Sequence, residues 1–183
     1  MPSNRMAKPS STAANGVAFA TQPTIQLQDG SGNDVKTAGV TVTASIAGGG
    51  GVLGGTVSQL TNGSGKAVFT NLAITGTIGA RTLLFAASGF TGVTSNSITI
   101  TPGPATQLAL STAPSSAAQS GIAFPIQPVV QLRDQSGNDV SSSGTTVTAS
   151  IASGTGSLLG TTAVVTNASG QAGYSGLGLS GAA

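Results

Sequence analysis

The chain contains 183 residues, carries a net charge of +2 and has charged side chains at only 5% of its positions. It contains no Cys, His, Trp or Glu, which excludes disulfides, thiolate chemistry and histidine-based catalysis. The six basic residues are scattered, so we expect no nucleic-acid binding, and no apolar run approaches the roughly 20 residues of a membrane span.

Short strands are predicted from residue 18 onward, because apolar residues occupy every second position in several segments. Ile25 and Leu27 alternate with Gln26 and Gln28, which places the two glutamines on the opposite face from the apolar pair. We predict strands, in chain order, at residues 18–28, 40–47, 53–61, 66–75, 81–88, 95–102 and 106–112. No segment has the 3.6-residue period of a helix, so the predicted fold is an all-β sandwich of two sheets.

Turn sequences separate these predicted strands. Residues 29–34 and 134–139 each contain Asp, Ser, Gly and Asn, whose side chains bond the local backbone or allow a positive φ. Residues 62–65 and 167–170 predict a second turn of the same kind. Residues 48–51 are four consecutive glycines and predict a loop without side chains to pack.

The chain repeats itself at an offset of 105 residues, from Pro9 paired with Pro114 to Ile78 paired with Ala183. About half of the aligned residues are identical; QLQDGSGNDV at 26–35 returns as QLRDQSGNDV at 131–140. A period of this length is a whole domain. We therefore predict two immunoglobulin-like repeats, at residues 1–103 and 104–183, joined by a short connector that two prolines stiffen.

The second repeat is predicted to be incomplete, because it stops at the equivalent of Ile78 and lacks the last two strands. The first repeat has a poor opening strand at residues 5–8. Three residues of the first repeat become Gly173, Gly176 and Gly178, which predicts weaker strands. Three explanations stay open: a fragment of a longer array, strands supplied by another chain, or a rearranged or frayed end.

No catalytic group is apparent. The carboxylates are Asp29, Asp34, Asp134 and Asp139, all in equivalent turns, and no lysine has a plausible partner. We expect no enzyme activity, no cofactor and no catalytic or metal-binding residue. The oxygen side chains of residues 29–34 loosely resemble a calcium loop, but a hydrogen-bonded turn explains them better.

Two further features have an ordinary structural interpretation. Asn62 and Asn167 begin N-x-S sequences suited to glycosylation, but the turns already account for both asparagines. Phe90 is the one aromatic residue considered for an exposed contact, although a position capping the core is the better interpretation. The binding residues are therefore unknown at this stage.

The turn motifs resemble the bacterial immunoglobulin-like domains of invasin- and intimin-type adhesins, which also occur on phage virion proteins. The shared features are an Asp-x-x-Gly-Asn-x-Val turn, a Gly-x-x-Val strand start, a Thr-x-x-x-Gly-x-Ala turn and a following leucine. These features lie, in the first repeat, at Asp29, Gly32, Asn33, Val35, Gly39, Val42, Thr61, Gly65, Ala67 and Leu72. They lie, in the second repeat, at Asp134, Gly137, Asn138, Val140, Gly144, Val147, Thr166, Gly170, Ala172 and Leu177.

The resemblance implies a sandwich that spaces or displays something, and it brings no catalytic residues. We expect a structural or adhesive module of an extracellular or cell-surface assembly, such as a fibre, stalk or adhesin array, assembling by inter-chain strand exchange. The alternative is a virion structural protein, a head decoration or tail-fibre domain, which the lack of a secretory signal in residues 1–11 favours. Expected partners are neighbouring copies, as in a homo-oligomer, or other surface or virion proteins.

Overall fold

The computed structural model describes residues 4–181, which divide between Gly103 and Pro104 into two compact units, here called the first and second units. Every regular element in that range is a strand. The first unit contains β1 (Asn4–Ala7), β2 (Thr12–Ala14), β3 (Thr24–Leu27), β4 (Thr41–Gly48), β5 (Val52–Gly54), β6 (Ser58–Leu60), β7 (Lys66–Val68), β8 (Ala73–Thr75), β9 (Gly79–Ala86), β10 (Val93–Thr94) and β11 (Ile98–Thr101). The second contains β12 (Ala105–Thr112), β13 (Ile122–Ala123), β14 (Val129–Asp134), β15 (Thr146–Thr148), β16 (Ser157–Leu159), β17 (Ala163–Val165), β18 (Gln171–Gly173) and β19 (Gly178–Ser180). The described residues include no helix long and apolar enough to cross a membrane.

Two larger sheets and the antiparallel pair β5-β8 form the first unit. One sheet has the order β1-β3-β7, and the other has the order β2-β11-β9-β4-β6 with β10 beside β9. All pairs are antiparallel except β2 with β11, which is parallel. Phe69 and Phe85 meet edge to face at the centre, with ring centroids 5.3 Å apart. The buried core residues are Phe19, Ile25, Leu27, Val42, Ala44, Ala67, Phe69, Leu72, Ile74, Leu83, Phe85, Ile98 and Ile100.

The second unit repeats part of this arrangement. The sheet β12-β14-β18 corresponds to β1-β3-β7, and the pair β15-β17 corresponds to β4-β6. The described residues contain no counterpart of β9 and β11. The predicted all-β fold of tandem immunoglobulin-like sandwiches, the second incomplete, is confirmed.

Several predicted strands are shorter than expected. The predicted strand 53–61 is two strands, β5 and β6, because the chain turns at Gly55 with a φ of 87°. The predicted strand 66–75 is likewise split into β7 and β8. Only β3 remains of the predicted strand 18–28, with a single bridge between Ala18 and Ala73 before it. The strand predicted at 106–112 is confirmed as β12.

The opening strand of the first unit, β1, has four residues whereas its counterpart β12 has eight, but β1 is paired along its whole length. β1 pairs with β3 over four residues, and Met6, opposite Ile25, packs against the core. The glycines of the second unit do not shorten its strands either, since β18 and β19 have three residues each, as do β7 and β8. Gly178 is required by packing, because a Cβ there would overlap the backbone of Ile122 in β13.

Although Gln26 alternates with the core residues Ile25 and Leu27, its side chain is also buried, with 4% exposure. Its Nε2 donates to the carbonyl oxygens of Leu27 at 3.1 Å and Ser64 at 3.1 Å, and reaches those of Val35 and Gly65 at 3.4 Å. One amide therefore ties β3 to both turns that flank it. A buried amide is favourable only when it is bonded in this way.

The second unit repeats this arrangement. Gln131 is buried, and its Nε2 donates to Leu132 O and Ser169 O, both at 3.1 Å, and reaches Val140 O and Gly170 O at 3.3 and 3.4 Å. The two turns of each unit are thus held together by the same buried side chain. The strand alternation could not reveal this, because period-two patterning assigns a polar residue to the outer face.

Substitution of Gly65 tests how closely the turn at residues 62–65 approaches the turn at residues 29–34. Gly65 has a φ of 73°, and a Cβ would overlap Val35 O. We expect Gly65→Ala to lower the free energy of unfolding of the first unit by about 3 kcal/mol. Urea unfolding followed by circular dichroism measures this. Gly63→Ala is the control, because a Cβ at Gly63 meets nothing within 4 Å; equal effects of the two substitutions would contradict the packing argument.

A second prediction concerns the buried amide. Gln131→Glu places a carboxylate among carbonyl oxygens, and we expect a loss of about 3–5 kcal/mol in the second unit at pH 7. Because burial raises the pKa of a carboxyl group, the loss should shrink as the pH falls and the group takes up a proton. Tyr174, the only tyrosine of the chain, reports the unfolding of this unit through its fluorescence. The exposed Gln135→Glu should be nearly neutral; a similar loss there would refute the interpretation.

Candidate functional site

The acidic residues of the first unit are used to build a turn. The Oδ1 atom of Asp29 accepts hydrogen bonds from the backbone N–H groups of Ser31 and Asn33, both at 2.9 Å. Its Oδ2 atom accepts from Nδ2 of Asn33 at 3.0 Å. The hydrogen bond from the Asn33 side chain, followed by those from the backbone, holds the pKa of Asp29 below its ordinary value of 3.8. The φ of 85° at Gly32 allows the loop to close around this carboxylate.

The second unit contains the same turn in a more buried form. Asp134 is fully buried, and its carboxylate accepts from the backbone N–H groups of Ser136 at 2.9 Å and Asn138 at 3.1 Å. The Nδ2 atom of Asn138 donates to Asp134 Oδ2 at 2.9 Å. At the end of the turn, Arg133 Nε donates to Asp139 Oδ1 at 2.8 Å, in an exposed ion pair.

These contacts determine what the four carboxylates can do chemically. The oxygens of Asp29 and Asp134 face N–H donors of their own loops, which is the arrangement of a hydrogen-bonded turn and not of an oxygen cage around a cation. Within residues 4–181, no group of three or more His, Cys, Asp or Glu side chains could hold a metal ion. The turns therefore act as structural elements.

Asn62 and Asn167 also serve their turns. The Oδ1 atom of Asn62 accepts from the N–H groups of Ser64 at 2.9 Å and Lys66 at 3.1 Å. Asn167 makes the equivalent pair of bonds, at 2.9 and 3.0 Å. Phe90 is half-buried and packs against the first unit's core, so the structure favours the core-capping interpretation over an exposed contact.

Arg81 is a buried residue that the sequence did not single out. Its side chain is 5% exposed and donates to Ala80 O at 2.8 Å and to Thr77 O at 2.6 Å. The glycine loop covers it, since a Cβ at Gly49 would overlap Ala80 O and press on the Arg81 side chain. This close approach thus requires glycine at position 49, whereas a Cβ at Gly50 would meet nothing within 4 Å and that residue has a φ of 74°.

The largest difference between the units is an uncovered apolar face in the second unit. A cleft of about 390 Å³ opens between β12, β14 and β15. We call its lining the open face; it includes the apolar and aromatic residues Leu108, Leu110, Val130, Val147, Ala149 and Tyr174.

Strand register shows that the open face is the inner face of a sandwich. Leu110 lies opposite Val130, as Met6 lies opposite Ile25 in the first unit. Opposite residues of an antiparallel pair point to the same side of the sheet. Met6 packs against a core, whereas Leu110 is 61% exposed. Leu110 is therefore exposed because no strand among the described residues covers it.

The edge of β15 is open on the same side. In the first unit Ala44 N bonds Val57 O on the β6 side, and the neighbouring residues Thr43 and Ser45 face β9. In the second unit Ala149 N bonds Thr162 O in the same way. The counterparts of Thr43 and Ser45 are Thr148 and Ser150, and among the described residues no strand pairs with β15 on their side.

Tyr174 borders the open face, although its own side chain is buried. It replaces Phe69, and its hydroxyl donates to Val147 O at 3.0 Å. Removal from water raises the pKa of Tyr174 above its ordinary value of 10.0. In the first unit the equivalent ring packs against Phe85, which belongs to β9. A comparison of the two repeats could have identified this difference, because Tyr174 is equivalent to Phe69 whereas no described residue is equivalent to Phe85, the ring partner of Phe69.

A titration tests the role of the Asp29 turn. We expect the side-chain carboxyl carbon of Asp29 to titrate, by NMR, with a midpoint below 3.8, and Asn33→Ala to raise that midpoint. Because the pKa is lowered, the contribution of the turn to stability is complete above the unfolded pKa and is lost as the pH falls through the folded value. Ser31→Ala is the control, since Ser31 contributes only a backbone N–H. An unchanged midpoint in Asn33→Ala would contradict this account.

No family model and no curated protein matches the chain. Among solved structures it is similar to the D0-D1 domain of intimin, with 20% identity, a TM-score of 0.40, and coverage of 96% of this chain and 83% of that one. It is similar to FdeC, an Escherichia coli adhesin, with 16% identity, a TM-score of 0.49 and coverage of 98% and 56%. It is also similar to invasin, a bacterial integrin-binding protein, with 15% identity, a TM-score of 0.45 and coverage of 98% and 33%. The chain thus spans little more than half of the FdeC structure and a third of the invasin structure. These are proteins of the kind that the turn motifs resemble, and the fold class rests on the chain's own strands and sheets.

Proposed function

We propose that this chain is a non-enzymatic structural or adhesive module of a cell-surface assembly, in which sandwich repeats space or display other parts. The observation that carries the proposal is the duplication of one turn framework in two units. Gln26 and Gln131 make the same sets of bonds, and the Asp29 and Asp134 turns close in the same way. A chain that repeats a structural framework, and not a binding or catalytic site, is suited to extending an assembly.

The distribution of polar groups supports a scaffold role. The carboxylates of Asp29 and Asp134 and the amides of Gln26 and Gln131 are directed at the backbone of their own unit. The outer surfaces are rich in Thr and Ser and carry few charges. Recognition on such surfaces relies on shape and on strand edges rather than on ion pairs.

Partners follow from the same reasoning. We infer that the chain works beside neighbouring repeats or other surface proteins, outside the cell. The names of the similar structures, which include adhesins and the surface layer protein SbsC, denote the same class of protein, but the proposal rests on this chain's own residues. The alternative of a virion protein has no structural observation that favours it.

Surface exposure is the decisive test of this proposal. Antibodies raised against the folded chain should label intact cells of the organism that encodes it, and brief protease treatment of those cells should remove the label. A cytoplasmic protein of the same cells, which must stay unlabelled and intact, is the control. Labelling that requires broken cells would overturn the proposal, and labelling of released virus particles would establish the alternative.

A further inference from the structure

The strands β2 and β11 of the first unit pair in parallel, and β2 forms the edge of the sheet beside β11. Thr12 lies opposite Thr99, and Ala14 lies opposite Thr101. In a parallel pair, the start of one strand and the end of the other lie at opposite ends. Tension carried along the chain therefore pulls β2 from its start and β11 from its end, in opposite directions along the strands. Such a load shears the ladder of hydrogen bonds that joins the two strands.

The hydrogen bonds between β2 and β11 run across the direction of this load. Thr99 N donates to Ser11 O at 2.8 Å, and Asn15 N donates to Thr101 O at 2.9 Å, at the two ends of the pair. The register places Ala13 between them, bonded to the residues on either side of its partner in β11. A shearing load stretches all of these bonds at once, whereas a load that separates the strands from one end breaks them in turn.

Both strands are also anchored in the rest of the first unit. β11 lies between β2 and β9, and its side chains Ile98 and Ile100 are no more than 1% exposed. At the end of β2, the side chain of Asn15 is 1% exposed, and its Oδ1 atom accepts a hydrogen bond from Gly76 N at 2.8 Å. Sliding of one strand past the other would therefore pull apolar side chains from the core or break a buried hydrogen bond.

We propose that the first unit bears tension along the chain, and that the ladder between β2 and β11 is the element that resists it. The inference stands on the strand pairing within this unit and does not depend on the proposed surface role. It adds a mechanical function to that role, in which the unit stays folded while force passes through it. Resistance to force is set by the unfolding barrier in the direction of pulling, so one fold can resist two directions unequally.

Pulling single molecules of the full chain in two directions tests the proposal. The chain contains no Cys, so two introduced cysteines define where the handles are attached. Lys8→Cys with Ala105→Cys loads β2 from its start and β11 from its end, whereas Val17→Cys with Ala105→Cys loads both strands from the same end; all three positions are exposed. At one loading rate we expect unfolding in the first direction to need at least about twofold more force. A length gain on the order of 300 Å identifies unfolding of the first unit.

Two proline variants test whether the ladder itself resists the force. Ala13→Pro removes an N–H group directed at β11, and we expect it to lower the force in the shearing direction while leaving the force in the other direction nearly unchanged. Thr12→Pro is the matched control, because the N–H group of Thr12 points away from β11 at the edge of the sheet, and it should leave both forces nearly unchanged. Circular dichroism establishes that each variant is folded.

Two results would overturn the proposal. The first is an equal unfolding force in the two directions, because the parallel ladder would then give no added resistance to shear. The second is an equal loss of force in Ala13→Pro and Thr12→Pro, because the hydrogen bonds to β11 would then not be the resisting element. The comparison of directions uses neither proline variant, so it remains decisive if one of them does not fold.

Discussion

An apolar sheet face is stable when another packed layer covers it, and the two units of this chain differ in that respect. In the first unit Phe85 reaches across the core to Phe69, so the sheets meet through an aromatic contact. The second unit has no counterpart of Phe85 among its described residues. Its Tyr174 instead donates a hydrogen bond to Val147 O on the facing pair of strands. The sheet β12-β14-β18 and the pair β15-β17 are thus joined by a polar contact beside an exposed apolar surface.

The turns form in the same way in both units, with or without strands equivalent to β9 and β11 among the described residues. Gln131 bonds Ser169 O at the same 3.1 Å as Gln26 bonds Ser64 O, although only Gln26 belongs to a complete sandwich. Thr166 likewise accepts from a backbone N–H at 3.0 Å, the distance found at Thr61. This end of the sandwich is therefore a local structure, held by side chains that bond the backbone within one sheet and its loops. That explains why the repeated sequence motifs are concentrated in the turns.

The sequence predicted the fold, the two repeats and the turns, because these features leave local patterns of Gly, Asx and alternating apolar residues. It did not predict the burial of Gln26 or Arg81, since both point at backbone carbonyl groups that are brought together only by tertiary structure. The pairing of β1 could not be predicted for a similar reason. This short strand contributes one inward residue, Met6, to the core, and its backbone pairs with β3. The sequence predicted that the second repeat has fewer strands than the first. It did not identify the residues that line the open face, because these depend on the register of β12 with β14.

The same physical facts connect fold and function. Side chains that could carry chemistry in another protein, such as Asp29 and Asp134, here accept hydrogen bonds from their own loops and shape the turns. The capacity for binding that remains in the described residues is of a different kind: an apolar face and a strand edge on the second unit. These surfaces support the proposed role of the chain as a structural or adhesive module, because extended polypeptide can pair with a strand edge.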